Sequence, residues 1–63
     1  MVLMAEEKVT ENAWRSLRVA WRRYKQAKQR CDREDMLRAA NRIRELQLKL
    51  GLVQARFPDL GIN

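Results

Sequence analysis

The chain has 63 residues, no histidine, one cysteine and a formal charge of +6. A single small domain is the limit at this length, and such a domain buries only about 60% of the surface that its unfolded chain exposes. A lone thiol excludes an intrachain disulfide, and with no histidine the chain is poorly equipped to bind a metal. No cofactor is expected, and self-association remains the most direct source of extra stability.

The composition predicts an ordered, cytosolic protein. Hydrophobic residues make up 46% of the chain and charged residues 35%, which is too apolar for a disordered tail. The first residues, MVLMAEE, resemble neither the basic nor the apolar region of a signal peptide. No apolar run approaches the roughly 20 residues that cross a bilayer, so we expect no membrane partner and a reduced Cys31.

A first amphipathic helix is predicted over about residues 10–30. Its apolar stripe has spacings of three and four and consists of Trp14, Leu17, Trp21, Tyr24 and Cys31, with Ala13, Ala20 and Ala27 beside it. Thr10 is the predicted N-cap, and Val9 and Trp14 are placed as a hydrophobic staple. In this reading Cys31 is a small buried thiol.

A second helix is predicted over about residues 33–56, after a turn at about residues 30–33. Asp32 can cap it, and Asp35 lies in its first turn. Pro58 is the predicted stop, because the residue before a proline avoids helical geometry; Gly51 is an earlier possible end. The stripe on this helix comprises Met36, Ala39, Ile43, Leu46, Leu50, Val53 and Phe57.

Two architectures fit these stripes. The caps near Asp32 favour an all-α, antiparallel helical hairpin that forms a single domain over residues 1–63 with a short C-terminal tail. The alternative is one continuous helix over about residues 10–50, because residues 29–36 contain neither glycine nor proline.

Helix two also carries apolar residues off its main stripe, including Leu37 and Leu48. A helix with one neighbour needs only one apolar seam, so a second face predicts a further partner. We therefore expect a homodimer of hairpins that forms a four-helix bundle. The residues assigned to core or dimer packing are Trp14, Leu17, Trp21, Tyr24, Leu37, Ile43, Leu46, Leu48, Leu50 and Val53.

The positive charge is concentrated on helix one, where residues 10–31 hold seven basic residues and one acidic residue. Arg15, Arg18, Arg22 and Lys25 form a ridge with spacings of three, four and three beside the apolar seam. Arginine suits bidentate contact with carboxylate or phosphate, so this ridge is the candidate site for an acidic protein, RNA or DNA. A solvated face with no partner is the simpler alternative. The aromatic residues could stack on bases, but their spacing favours core packing.

Enzymatic chemistry is not expected. Ser16 and Cys31 have no histidine base to activate them. The carboxylates of Asp32, Glu34 and Asp35 are explained by their place at a helix start. The chain has no glycine-rich phosphate loop and no paired-cysteine metal motif.

Over its full length, from MVLMAEEK through WRSLR to FPDLGIN (residues 1–8, 14–18 and 57–63), the chain has a resemblance to other proteins. It resembles the short early proteins encoded between the exonuclease and excisionase genes of lambdoid bacteriophages. That resemblance implies a non-enzymatic regulatory protein in the cytoplasm of the bacterial host, where it adjusts host physiology or the choice between lysis and lysogeny. The predicted architecture is also similar to that of Rop, a plasmid RNA-binding hairpin dimer.

The leading functional hypothesis is therefore a dimeric regulatory hairpin that binds a host or phage macromolecule, in the first place a protein, through its basic surface. The alternative hypothesis is direct binding of RNA or DNA by the basic face of helix one.

Overall fold

The computed structural model describes the backbone of residues 2–62 and the side chains of residues 11–62. It contains two α-helices, α1 (Val2–Gln29) and α2 (Arg33–Lys49), followed by a 3-10 helix at Pro58–Leu60. The two α-helices pack against each other as a hairpin. The predicted all-α hairpin is thus confirmed, and the continuous helix is wrong.

Helix α1 begins earlier than predicted. Thr10 lies inside the helix, so it is not the N-cap. The residues before it include Leu3, Met4 and Glu6 and contain no glycine or proline, so nothing in that stretch stops a helix. The predicted staple involves the side chain of Val9, which lies outside the described side chains.

The two helices differ in length. Helix α1 has 28 residues and α2 has 17, which correspond to about 42 Å and about 25 Å of helix. The longer helix accounts for most of the 45 Å long axis of the molecule. Helix α1 ends and α2 begins at the same turn, so residues 2–12 of the longer α1 extend beyond the end of α2.

The turn between the helices uses Asp32 twice. Its backbone N–H donates to the Ala27 carbonyl at 2.9 Å and that of Cys31 donates to Lys28 at 3.1 Å, which closes α1 with a Schellman motif. The Asp32 carboxylate then accepts the Asp35 N–H at 3.2 Å and caps α2, as predicted. Cys31 is exposed with φ 57°, so the expectation of a buried thiol is wrong. The closing motif requires a left-handed residue at this position.

Helix α2 ends earlier than predicted, at Lys49 rather than near residue 56. Gly51 adopts φ 71°. The Gly51 and Leu52 N–H groups donate to the carbonyls of Leu48 and Gln47 at 3.1 and 2.8 Å, which forms a second Schellman motif. Pro58 instead begins the short 3-10 helix. The chain therefore leaves helical geometry before Val53, so the apolar stripe predicted for this helix ends before that residue.

The C-terminal segment (residues 52–62) folds back against the hairpin. The Ala55 N–H donates to Gln47 Oε1 at 2.8 Å, and its carbonyl accepts from Arg44 Nη1 at 2.6 Å. Phe57 and Ile62 exchange two backbone hydrogen bonds of 2.7 and 3.0 Å around the 3-10 helix. This closed loop buries the side chains of Phe57 and Leu60.

The core lies between α1, α2 and the C-terminal segment. Its buried members are Ala13, Leu17, Ala20, Ala40, Ile43, Leu46, Phe57 and Leu60. Three of these are alanines on the facing sides of the two helices, and small side chains allow the helix axes to come close. The C-terminal segment adds Phe57 and Leu60 to the core formed by the two helices.

The predicted packing residues fall into three groups. Leu17, Ile43 and Leu46 are buried as expected, and Trp21, Tyr24, Leu37 and Leu50 are partly buried against the core. Trp14, Leu48 and Val53 lie outside the hairpin core, with exposures of 43%, 67% and 93%. The seam of α1 runs through Ala13, Leu17 and Ala20, which places Trp14 at its edge.

Candidate binding surface

The predicted basic ridge lies on the outer face of α1. Arg15, Arg18, Arg22 and Lys25 are all exposed. The seam of the helix is formed by Ala13, Leu17 and Ala20, and at 3.6 residues per turn Arg18 and Arg22 lie far round the helix from it. Of the four ridge residues, only Arg15 also reaches the space between the two helices.

A groove between α1 and α2 collects a second set of arginines. It has a volume of about 640 Å³. Its floor contains the small residues Ser16, Ala20 and Ala39, and Val19, which is 41% exposed, lies at its edge on α1. Its walls carry Arg15, Arg23, Arg30, Arg38 and Arg42. We call this feature the open groove.

The arginines of the open groove are in regular positions. On α1, Arg15, Arg23 and Arg30 are eight and seven residues apart, or about two turns each, which separates their backbones by about 12 and about 10 Å. On α2, Arg38 and Arg42 are one turn apart, or about 6 Å. The groove therefore presents positive charge along both walls rather than at a single point.

Carboxylates neutralise this charge only in part. Arg30 pairs with Asp35 at 2.9 Å, Arg38 approaches the same carboxylate at 3.8 Å, and Arg42 pairs with Glu45 at 3.3 Å. The side chains in these pairs are between 42% and 79% exposed, so each pair contributes about 1 kcal/mol at most. Among the side chains of residues 11–62, neither Arg15 nor Arg23 forms a salt bridge.

The opposite side of the hairpin is closed. There the ring of Phe57 lies 5.7 Å from Trp21 and 5.0 Å from Tyr24, and Trp21 meets Tyr24 edge-on at 5.9 Å. Trp21 and Tyr24 thus act as core anchors, the interpretation that their spacing favoured. They are engaged on the side away from the open groove, so bases in that groove would have no aromatic surface on which to stack.

Sequence reasoning missed Arg23, Arg30, Arg38 and Arg42 as members of one surface. The signal in the sequence was the interval of about two turns between Arg15, Arg23 and Arg30, beside the small residues Ser16 and Ala20. It could not be used alone, because the pattern does not show which flank of the seam the C-terminal segment covers.

Other kinds of site find little support in the described part of the chain. Those residues hold no group of three or more Cys, Asp or Glu side chains placed to bind a metal ion. Neither of the described helices combines the length and the apolar character needed to cross a bilayer.

No family model, curated protein or solved structure matches this chain. The arginine surface is the feature that most restricts what the partner can be.

Proposed function

We propose that the protein is a small, non-enzymatic interaction protein that binds an acidic partner protein through the arginine surface of α1 and α2. One observation carries this proposal: five arginines line the open groove, and one carboxylate, Asp35, lines it with them. Such a surface attracts acidic partners and favours bidentate contacts with carboxylates.

A protein partner fits the groove better than a nucleic acid does. Binding of single-stranded nucleic acid draws much of its energy from bases stacked on aromatic side chains. The groove has small residues on its floor, and the packed aromatic residues lie on the closed side. Carboxylates need only the arginines, whereas bases would find no aromatic side chain to stack on there.

The resemblance to early proteins of lambdoid phages suggests where such an interaction would act. A basic binding protein made early in infection would engage a host or phage protein in the bacterial cytoplasm. By doing so it would alter host physiology or the choice between lysis and lysogeny. This biological setting rests on the resemblance, while the chemistry of the partner rests on the arginines.

Binding of RNA or DNA is the second candidate, and the outer ridge favours it. Arg18, Arg22 and Lys25 are exposed on one face of α1 and form no salt bridge with the described side chains. A convex row of cations can follow a phosphate backbone without contacting the bases.

Direct binding measurements separate the two candidates. The intact chain is titrated with an acidic peptide, a DNA duplex and a structured RNA at several salt concentrations. At about 0.15 M salt we expect the acidic peptide to bind more tightly than either the DNA duplex or the RNA. Tighter binding of either nucleic acid would instead favour the second candidate, with log K falling by about 0.9 per phosphate contact for each unit of log salt for the duplex. Replacing Arg15, Arg18 and Arg22 with glutamine should then remove that binding while preserving helicity.

We also propose that the hairpin forms a homodimer, with a four-helix bundle as the architecture. The C-terminal segment covers part of the apolar surface for which a partner was predicted, so the proposal now depends on what stays exposed. Leu48 and Val53 are 67% and 93% exposed, and Leu52 and Trp14 are 38% and 43% exposed. Light scattering across a dilution series tests this proposal, and a compact monomer at micromolar concentration would contradict it.

A further inference from the structure

We propose that the open groove is the docking site for one amphipathic helix of a partner protein, with acidic residues on both edges of its apolar face. This inference rests on the proposed function and adds the form that the acidic partner takes. The shape of the groove, its floor and its charged walls support it independently.

The shape suits a helix. A pair of packed helices has a groove on each side, and here the C-terminal segment fills one of them with Phe57 and Leu60. The other groove stays open beside the span from Arg15 to Arg30, which corresponds to about 22 Å of helix. A partner helix of about four turns matches that length and would complete a three-helix arrangement.

The floor suits an apolar face. Ser16, Ala20 and Ala39 have short side chains, so a partner backbone can approach closely. Val19 is 41% exposed within the same groove although it is fully apolar. Leucine-sized side chains at helical spacing would cover Val19 and remove it from water.

The walls fix the charge of the occupant. Arg15, Arg23 and Arg30 line one wall, and Arg38 and Arg42 line the other, so carboxylates are favoured on both edges of the incoming helix. The same arginines disfavour a second copy of this chain, because two copies docked groove to groove would bring like charges together in a complex of two +6 chains.

The test uses the full chain and two labelled peptides of about 18 residues, or about 27 Å when helical. Each peptide contains equal numbers of leucine, alanine and glutamate residues. One places the leucines at helical three-four spacing, and the other has the same composition in a permuted order with no apolar face. Binding is followed by fluorescence anisotropy at about 0.15 M salt. We expect the amphipathic peptide to bind about tenfold or more tightly than the permuted one.

The decisive variant is Val19→Arg. It adds a positive charge while removing the exposed apolar side chain at the edge of the groove, so attraction between charges alone predicts tighter binding. Docking of a helix predicts weaker binding by about tenfold or more. Circular dichroism checks that the helices remain. Unchanged or tighter binding of the amphipathic peptide to a folded Val19→Arg chain would overturn the proposal.

A matched pair of double variants locates the site. Arg23→Gln with Arg38→Gln removes two charges from the groove, and Arg18→Gln with Arg22→Gln removes two from the outer ridge. The groove pair should weaken binding severalfold more than the ridge pair. Equal binding of both peptides, or a larger loss in the ridge pair, would overturn groove docking while leaving an acidic protein partner in place. If neither peptide binds and a nucleic acid does, the proposed function itself fails.

Discussion

The two sides of the hairpin differ in how they complete the pair of helices. On the closed side the chain uses its own C-terminal segment, which inserts Phe57 and Leu60 and contacts Trp21 and Tyr24. On the open side, small residues are flanked by arginines and nothing in the described part of the chain covers them. Residues on the closed side stabilise the fold, whereas residues on the open side are available to bind. Substitutions on the two sides should therefore affect different measurements.

The largest effect is expected from Phe57→Ala on the closed side. Phe57 is 5% exposed and contacts two aromatic rings, so its loss should cost about 3 kcal/mol of the free energy of unfolding. Because a domain of this size has a small free energy of unfolding, extensive unfolding at room temperature is expected. Urea denaturation followed by circular dichroism measures the change.

The neighbouring exposed residue provides the control for this prediction. Arg56→Ala should change the free energy of unfolding by about 0.5 kcal/mol or less. If the two variants were equally stable, the C-terminal segment would not be part of the core, and the two sides of the hairpin would be equivalent.

A smaller loss is expected from Gln47→Met, also on the closed side. The side chain of Gln47 is buried, and its Oε1 accepts the Ala55 N–H at 2.8 Å. Methionine keeps the volume but leaves that N–H without its acceptor, at a cost of about 1–2 kcal/mol. Amide hydrogen exchange at Ala55 should become faster, while exchange at Ala20 in α1 follows only the global change. Unchanged protection at Ala55 would show that this hydrogen bond does not hold the segment.

The turn belongs to both sides of the hairpin, and Cys31→Gly tests whether its left-handed residue limits stability. Cys31 has φ 57° and an exposed side chain, so glycine removes left-handed strain and loses little packing. A gain of about 1 kcal/mol in the free energy of unfolding is expected. Cys31→Ala retains the strain and should leave stability nearly unchanged. If glycine gave no gain over alanine, the left-handed geometry would not limit stability.

The smallest effect on stability is expected on the open side. Replacing Arg23 and Arg38 with glutamine removes like charges from a chain of charge +6, so the unfolding midpoint should stay the same or rise slightly at low salt. The difference from the unsubstituted chain should shrink as salt screens the charges. A destabilisation comparable to that of Phe57→Ala would mean that the groove arginines support the fold rather than a partner.

Several features governed by local chemistry could be predicted from the sequence, and most of those that depend on how the segments pack together could not. Asp32 was identified correctly because capping involves only the next three residues. The sequence predicts too late an end for α2, because Phe57 continues the helical spacing by coincidence; Phe57 reaches the core through the returning C-terminal segment instead. Thr10 is a good capping residue type, but the residues before it extend the helix.

The candidate site was predicted only in part for the same reason. The ridge of Arg15, Arg18, Arg22 and Lys25 is a property of one helix, so its spacing was visible in the sequence. The open groove combines residues from both helices. Its existence depends on which flank the C-terminal segment covers, which is decided by packing between Phe57 and the rings of Trp21 and Tyr24.

The double use of Asp32 has a consequence for the register of the two helices. Its N–H closes α1 and its carboxylate opens α2, so no spare residue lies between the two motifs. An insertion after Cys31 would separate the two motifs, so one residue could no longer both close α1 and cap α2. The direction in which α2 leaves the turn would then no longer follow from the end of α1, and both the packing of Ile43 and the spacing of the two arginine walls depend on that direction. The relative placement of the two groove walls is therefore set at Asp32, at the end of the hairpin opposite the start of α1.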